Sequence, residues 1–155
     1  MKRSLRICMD KLFTIGFTKK TAKEFFEKLN ENNIHMIVDV RLNNTSQLAG
    51  FTKYPDIVYF LKNLCNIDYI QDKMFSPEET TLKKYKKKGI NWEQYVKEFN
   101  DTMENRNINE YIYNKYNDLN NICLLCSEPT AEKCHRSLVA DRFRKQFKGL
   151  NVINL

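Results

Sequence analysis

The segment CLLCSEPTAEKCHRSLVADRF, residues 123–143, gathers reactive side chains into a short turn between an apolar run and an amphipathic one. A thiol next to a histidine and an arginine, at the start of a helix, can have a lowered pKa and act as a nucleophile. The alternative is that the thiols are small residues packed beneath a loop. The candidate catalytic residues here are Cys126, Cys134 and His135.

The same turn also suits an anion. Free backbone N–H groups at a helix N-terminus favour negative charge, and the guanidinium of Arg136 offers a planar donor fork for phosphate or carboxylate. Glu128 can brace the loop. We therefore predict that phosphate, sulfate or a phosphorylated ligand binds within hydrogen-bond reach of Arg136 or of the backbone amides around it. If Arg136 instead pairs internally with Glu128 or Asp39, removing it strands a carboxylate, at a cost of roughly 3–5 kcal/mol.

Cysteine spacing argues against two other chemistries. Cys123 and Cys126 spell C-x-x-C, but within one strand an odd separation sends their side chains to opposite faces. Cys126, Cys134 and His135 offer a metal three ligands without a second C-x-x-C pair, so we predict no metal site. The five cysteines are irregularly spaced, which favours free thiols over a disulfide framework. The residues indicate no particular cofactor.

These groups must be positioned by strands and helices. Apolar runs predict four strands and "NVINL" predicts a last one, and the first two are joined by a segment of helical spacing. Connections of that length suit parallel crossovers, so the fold class is α/β, with a mostly parallel sheet flanked by helices. The predicted strands are Leu12–Ile15, Met36–Val40, Ile67–Ile70, Asn121–Cys126 and residues 151–155.

Helix starts are marked by capping residues. Thr18 predicts the first N-cap, Pro55 begins a second helix, and "SPEE" predicts a helix capped by Ser76 that ends near Gly89. Asn91 caps the next helix, and two more are expected over residues 110–116 and 137–147. The helices between residues 76 and 116 form an insertion packed on the sheet.

Polar residues follow three of the predicted strands. Because parallel strands end at one edge of a sheet, these residues should meet there, where ligands bind in open α/β folds. Asp39 could serve as a general acid or base, or accept backbone N–H groups and orient Arg41. Besides the 126–136 turn, the residues expected at this edge are Gly16, Thr18, Asp39, Arg41, Asn43 and Asn44.

Composition limits the classes of function. A chain of 155 residues suits one domain, and neither a membrane-spanning helix nor a signal peptide is apparent, so a cytoplasmic protein is expected. The net charge of +7 attracts anions, but the basic residues are dispersed. We therefore favour an enzyme or ligand-binding domain for a small anion, a nucleotide or phosphate ester. The alternatives are a nucleic-acid-binding protein without tight sequence-specific DNA binding, or an adaptor without chemistry. The sequence does not indicate an oligomeric state.

Three segments together resemble a known family. "LFTIGFTKKTAKEFFEKL", "VDVRLNNTSQLAGF" and the 123–143 segment are similar to the domain of unknown function 488 family, from about Leu12 to the end. The resemblance implies an α/β fold and a site, but no reaction. By this resemblance the characteristic family positions fall on Gly16, Asp39, Arg41, Cys126, Glu128, Cys134, His135 and Arg136.

Overall fold

A computed structural model describes residues 8–46 and 49–155, and its centre is one five-stranded sheet. All pairings in the sheet are parallel, in the order β3-β2-β4-β1-β5. The predicted α/β class and the parallel arrangement of the three strands with polar ends are therefore confirmed. The strands are β1 (Lys11–Gly16), β2 (Met36–Asp39), β3 (Asp68–Gln71), β4 (Ile122–Cys126) and β5 (Asn151–Asn154).

The register brings the predicted polar groups to one edge. Gly16 at the end of β1 is paired with Cys126 at the end of β4, and Asp39 at the end of β2 is paired with Leu125. Strand β4 lies between β1 and β2, so the residues that follow these three strands leave the sheet side by side.

Helices cover both faces of the sheet. Helices α1 and α2 pack with Ile37 and Leu125 on one face, and α4, α5 and α6 pack with Leu124 on the other. The insertion predicted between residues 76 and 116 is helical and contributes α3, α4 and α5. The helices are α1 (Ala22–Glu31), α2 (Asp56–Phe60), α3 (Glu79–Lys86), α4 (Trp92–Asn105), α5 (Ile108–Tyr116) and α6 (His135–Gln146).

The central strand β4 is buried along its whole length. Cys123 lies in the apolar cluster beneath α1 and α2, and Cys126 lies in the cluster beneath α4 to α6. The prediction that these two thiols face opposite sides is confirmed. A strand with both faces covered needs apolar residues at every position, which "ICLLC" provides.

Two of the predicted helix caps are wrong. Helix α1 is capped by Thr21, not Thr18, because Thr21 and Glu24 form a reciprocal capping box. Ser76 does not cap α3, since its hydroxyl donates to the Val40 carbonyl and the helix starts at Glu79. The Asn91 cap of α4 is confirmed by its bond from the Gln94 N–H.

In residues 8–46 and 49–155, no helix has the length and apolar character needed to cross a bilayer. The prediction that the N-terminus is no signal peptide falls largely on residues 1–7, outside the described ranges.

Candidate functional site

A cleft of about 500 Å³ opens at the carboxyl edge of the sheet. Its floor is formed by the residues after β1, β2 and β4, and its opposite wall by helices α3 and α4. Most of the residues predicted at this edge line it. The lining residues are Thr18, Arg41, Leu42, Asn43, Ser46, Pro77, Leu82, Tyr85, Lys86, Trp92, Tyr95, Cys126, Ser127, Glu128, Lys133, Cys134 and His135.

Cys126 and His135 form a pair at the floor of this cleft. The Nδ1 atom of His135 lies 3.4 Å from the Cys126 sulfur. The other ring nitrogen, Nε2, lies 2.9 Å from the Val40 carbonyl oxygen, which can only accept. Nε2 therefore carries a hydrogen, and Nδ1 is free to accept the proton of the Cys126 thiol. A nucleophile, a base and a group that orients the base are thus in contact.

Several groups around the Cys126 sulfur favour a negative charge on it. The largest contribution comes from the Cys134 thiol, and the backbone N–H groups of Ser127 and Glu128 and the positive charge of Arg136 add to it. Together these groups lower the pKa of Cys126 despite its burial. The same contact, with burial, raises the pKa of Cys134, which therefore keeps its hydrogen and remains a donor. The arrangement stabilises a thiolate on Cys126 in preference to Cys134.

Arg136 lies beneath the cleft rather than in its wall. Its side chain is completely buried, and it donates to the Glu128 carbonyl at 2.7 Å, to the Thr14 hydroxyl at 3.3 Å and to the Cys134 sulfur at 3.7 Å. The contact with Glu128 is to its backbone and not to its carboxylate. Among the described residues no carboxylate lies within 4.0 Å of the guanidinium. The positive charge of Arg136 also acts on Lys20. The pKa of Lys20 is lowered, first by burial and then by repulsion from Arg136.

Gly16 makes room for this arrangement. A Cβ atom on Gly16 would lie 1.5 Å from the Glu128 carbonyl oxygen and 2.8 Å from the Arg136 Nη1 atom. Only a residue without a side chain lets the loop after β4 lie this close to β1. The geometry gives Gly16 a packing role beneath the site.

Asp39 and Arg41 form a second buried group at the same edge. Asp39 accepts from the Arg41 Nε and Nη2 atoms, the latter at 2.6 Å, and from the Tyr69 hydroxyl at 2.6 Å. Arg41 also donates to the Thr52 carbonyl at 2.7 Å. These contacts favour the orienting role for Asp39 over acid–base catalysis.

The remaining predicted binding residues separate into two places. Thr18, Asn43 and Glu128 line the cleft. Asn44 does not; it donates to the Tyr69 hydroxyl at 3.0 Å and lines a different depression beside β3. Asn44 therefore supports the Asp39–Arg41 pair from behind.

The wall contributed by the helical insertion was not foreseen. In the sequence, Trp92 and Tyr95 belong to an apolar stripe at helical spacing, a pattern typical of a helix that packs on a core, and the lysines of α3 lie late in a helix, where basic residues are usually solvated. Nothing in the local pattern distinguishes a stripe that packs on a sheet from one that lines a cleft. The residues missed are Tyr85, Lys86, Trp92, Tyr95 and Lys133.

Cys126, Cys134 and His135 also present their ligand atoms within 4.8 Å of one another. Three soft ligands at this spacing resemble part of a zinc site. The buried charge of Arg136, 3.7 Å from the Cys134 sulfur, opposes a divalent cation there. The absence of a metal stays a prediction, which elemental analysis of the purified protein tests.

Comparison with known proteins places the chain in a family. Searches of curated proteins and of solved structures return no match. The family model described as "Domain of unknown function DUF488" matches residues 21–143, which contain β2, β3, β4 and most of α6. The resemblance noted from the sequence is thereby confirmed, and the chain belongs to the DUF488 family, the domain of unknown function 488.

Proposed function

We propose that this protein is an enzyme in which the Cys126 thiolate attacks an electrophilic centre of a small anionic substrate, a nucleotide or phosphate ester. The observation that carries the proposal is the Cys126–His135 contact of 3.4 Å at the floor of the cleft. Three further features support it: the orientation of His135 by Val40, the groups that favour a negative charge on the sulfur, and the charge of Arg136, which has no carboxylate partner among the described residues.

The proposed step is a group transfer. His135 takes the proton of the Cys126 thiol on Nδ1, and the ring then holds one hydrogen for the thiolate and one for the Val40 carbonyl. A bond forms between the sulfur and the electrophilic atom, the bond to the leaving group breaks, and the leaving group takes the proton from His135. Water or a second acceptor then attacks the electrophilic atom and gives a proton to His135, the bond to the sulfur breaks and releases the thiolate, and His135 returns the proton to Cys126.

Arg136 contributes to this step through its buried positive charge. A buried guanidinium without a carboxylate partner is costly, and a negative charge on the Cys126 sulfur, on which Arg136 acts through space and not by a hydrogen bond, offsets part of that cost. Arg136 therefore favours the thiolate without touching the substrate. The exposed ammonium groups of Lys86 and Lys133 at the cleft are the cations available to an anionic ligand.

A cytoplasmic location is part of the proposal, because that compartment keeps thiols reduced. The nucleic-acid and adaptor alternatives stay predictions; either would leave the Cys126–His135 pair without a task.

Thiol alkylation tests the proposal directly. Iodoacetamide is allowed to react with the native protein over a range of pH, and the labelled cysteines are identified by mass spectrometry of peptides. The exposed thiol of Cys8 is the internal reference. Cys126 should retain its reactivity below pH ~8, where an ordinary thiol of pKa near 8.5 loses about tenfold per pH unit.

A variant and its control complete the test. Replacing His135 with Gln removes the base and should slow alkylation of Cys126. Replacing Cys65 with Ser, a half-buried thiol outside the cleft, should leave it unchanged. The proposal is overturned if Cys126 loses reactivity with falling pH as steeply as Cys8, or if His135→Gln has no effect.

A further inference from the structure

Tyr95 carries a hydroxyl that has no hydrogen-bond partner among the described residues. Its side chain is 98% buried, with only 2% exposed, and it lines the cleft next to the Cys126 and Cys134 thiols. Within residues 8–46 and 49–155 its hydroxyl makes no hydrogen bond, and it is not among the fully enclosed polar atoms without a partner, so the hydroxyl is open to the cleft. Buried tyrosine hydroxyls usually find a partner, so a ligand in the cleft is the natural acceptor.

The other buried tyrosine hydroxyl of this helical layer shows the contrast. Tyr116, in α5, donates to the Asp72 carboxylate at 2.6 Å and is fully satisfied by the protein. Burial, followed by the neighbouring thiols, raises the pKa of Tyr95, so this hydroxyl stays protonated as a donor. Tyr95 thus offers a hydrogen bond close to the proposed nucleophile.

Around Tyr95 the cleft has an aromatic wall. The rings of Trp92 and Tyr95 are stacked, with centroids 5.3 Å apart and planes 16° apart. The centroid of the Tyr85 ring lies 4.8 Å from the centroid of Tyr95 and 5.8 Å from the centroid of Trp92. Trp92 and Tyr85 are only partly buried and line the cleft, so they offer ring surface to a ligand. Flat aromatic side chains bind flat rings by stacking, and each of the nucleobases can stack in this way.

Positive charge lies beside this wall. Lys86 follows Tyr85 in the chain, and Lys133 belongs to the loop after β4; both are exposed and line the cleft. The opposing acid in the lining is Glu128. A phosphate joined to a ring fits this combination better than a free phosphate, which would leave the aromatic wall uncovered.

We infer that the substrate is a ring-bearing phosphate ester of the nucleotide class, with its ring on Trp92 and Tyr85, its phosphate at Lys86 and Lys133, and an acceptor atom on the Tyr95 hydroxyl. This inference rests on the proposed function and narrows it to one substrate class. Tyr95 acts as a hydrogen-bond donor and keeps its proton throughout the transfer.

Equilibrium binding tests the inference. The Cys126→Ser variant is used, so that binding is measured without turnover. Its probes are the nucleotides AMP, GMP, CMP and UMP, with ribose 5-phosphate lacking the ring and adenosine lacking the phosphate. Trp92 is the only tryptophan in the chain, so its fluorescence reports on the cleft itself. At least one nucleotide should bind roughly tenfold more tightly than ribose 5-phosphate, as base stacking on an aromatic ring implies.

Two variants locate the contact. On the Cys126→Ser background, Tyr95→Phe removes only the hydroxyl and should weaken nucleotide binding roughly three- to tenfold, the value of one hydrogen bond. Tyr59→Phe, at an exposed tyrosine outside the cleft, is the matched control and should change nothing.

The outcomes separate the two proposals. If Cys126 alkylates as proposed but no nucleotide binds better than ribose 5-phosphate, the substrate class is overturned and the nucleophile stands. If nucleotides bind and Tyr95→Phe does not weaken them, the role of Tyr95 is overturned. If nucleotides bind while Cys126 behaves as an ordinary thiol, the enzyme proposal falls and the ligand class survives.

Discussion

Two arginines are buried at the same edge of this sheet, and their surroundings differ in one respect. Arg41 is paired with the carboxylate of Asp39 and held by the Thr52 carbonyl. Arg136 is more deeply buried, yet its partners are a backbone carbonyl, a hydroxyl and a thiol, none of them charged. Within the part of the chain that the structure describes, a carboxylate neutralises Arg41 and none neutralises Arg136.

The difference shows which arginine is scaffold and which can influence chemistry. A paired buried charge exerts little net field beyond its partner, so Arg41 mainly fixes the loop after β2. An unpaired buried charge acts on every titratable group around it, and Arg136 does so on Cys126, Cys134 and Lys20. Matched substitutions at and around the two arginines test this difference.

The largest effect on stability is expected from Arg41→Met. This change leaves the Asp39 carboxylate buried without its cation, at a cost of roughly 3–5 kcal/mol in the free energy of unfolding. Denaturant melts measure the loss. Asp39→Asn together with Arg41→Met should recover part of it, because the stranded charge is then gone. If Arg41→Met costs no more than the matching change at Arg136, the comparison fails.

Gly16→Ala should lower the free energy of unfolding by nearly as much, roughly 3 kcal/mol, which is at the upper end of the usual cost of overpacking. The new Cβ overlaps the Glu128 carbonyl, which must move and take Arg136 with it. Gly50→Ala is the control, since a Cβ there meets nothing within 4 Å. Thermal melts and Cys126 alkylation should both respond at Gly16. An unchanged alkylation rate would show that the position of the loop does not matter to the thiol.

Arg136→Met should cost less, roughly 1–2 kcal/mol, because it strands only neutral hydrogen-bonding groups. Its effect on chemistry should be larger than that of Arg41→Met: the Cys126 pKa rises, and alkylation at pH 7 slows. Arg136→Lys keeps the charge and should restore part of the rate. Melts of Arg136→Gln with and without phosphate test the earlier prediction of direct binding, which full burial of Arg136 disfavours.

The smallest expected effect is a dependence of the free energy of unfolding on pH. The folded-state pKa of Cys126 is lowered, first by the Cys134 thiol, so its ionisation stabilises the fold. That stability is absent below the folded pKa, grows as pH rises, and is complete near pH ~8.5, where an unfolded thiol ionises. Melts from pH 6 to 8.5 should therefore show a rise in wild type that Cys126→Ser lacks. Equal slopes would contradict the thiolate. The groups that face Cys126 are Arg41, Tyr95, Cys134, His135 and Arg136.

Much of the framework could be predicted because it depends on local rules. Apolar runs of strand length, joined by helical spacings, predict a parallel α/β sheet whatever the loops do. The prediction of the first cap was wrong because two candidates lie close together. Thr18 and Thr21 both precede α1, and only Thr21 has a glutamate three positions later. Ser76 was drawn away by a carbonyl thirty-six positions earlier, which no local pattern reveals.

The sheet, the opposite faces of Cys123 and Cys126, and the meeting of three polar segments at one edge could be predicted from the sequence, because side-chain alternation and parallel topology follow from short stretches of chain. The pairing of each arginine, the close approach of the Glu128 carbonyl to Gly16, and the place of Trp92 and Tyr95 in the wall of a cleft depend on how the chain folds. These are distances between residues far apart in the chain. The free energy of a buried charge, or of a hydroxyl without a hydrogen-bond partner, depends on those distances and not on neighbours in sequence.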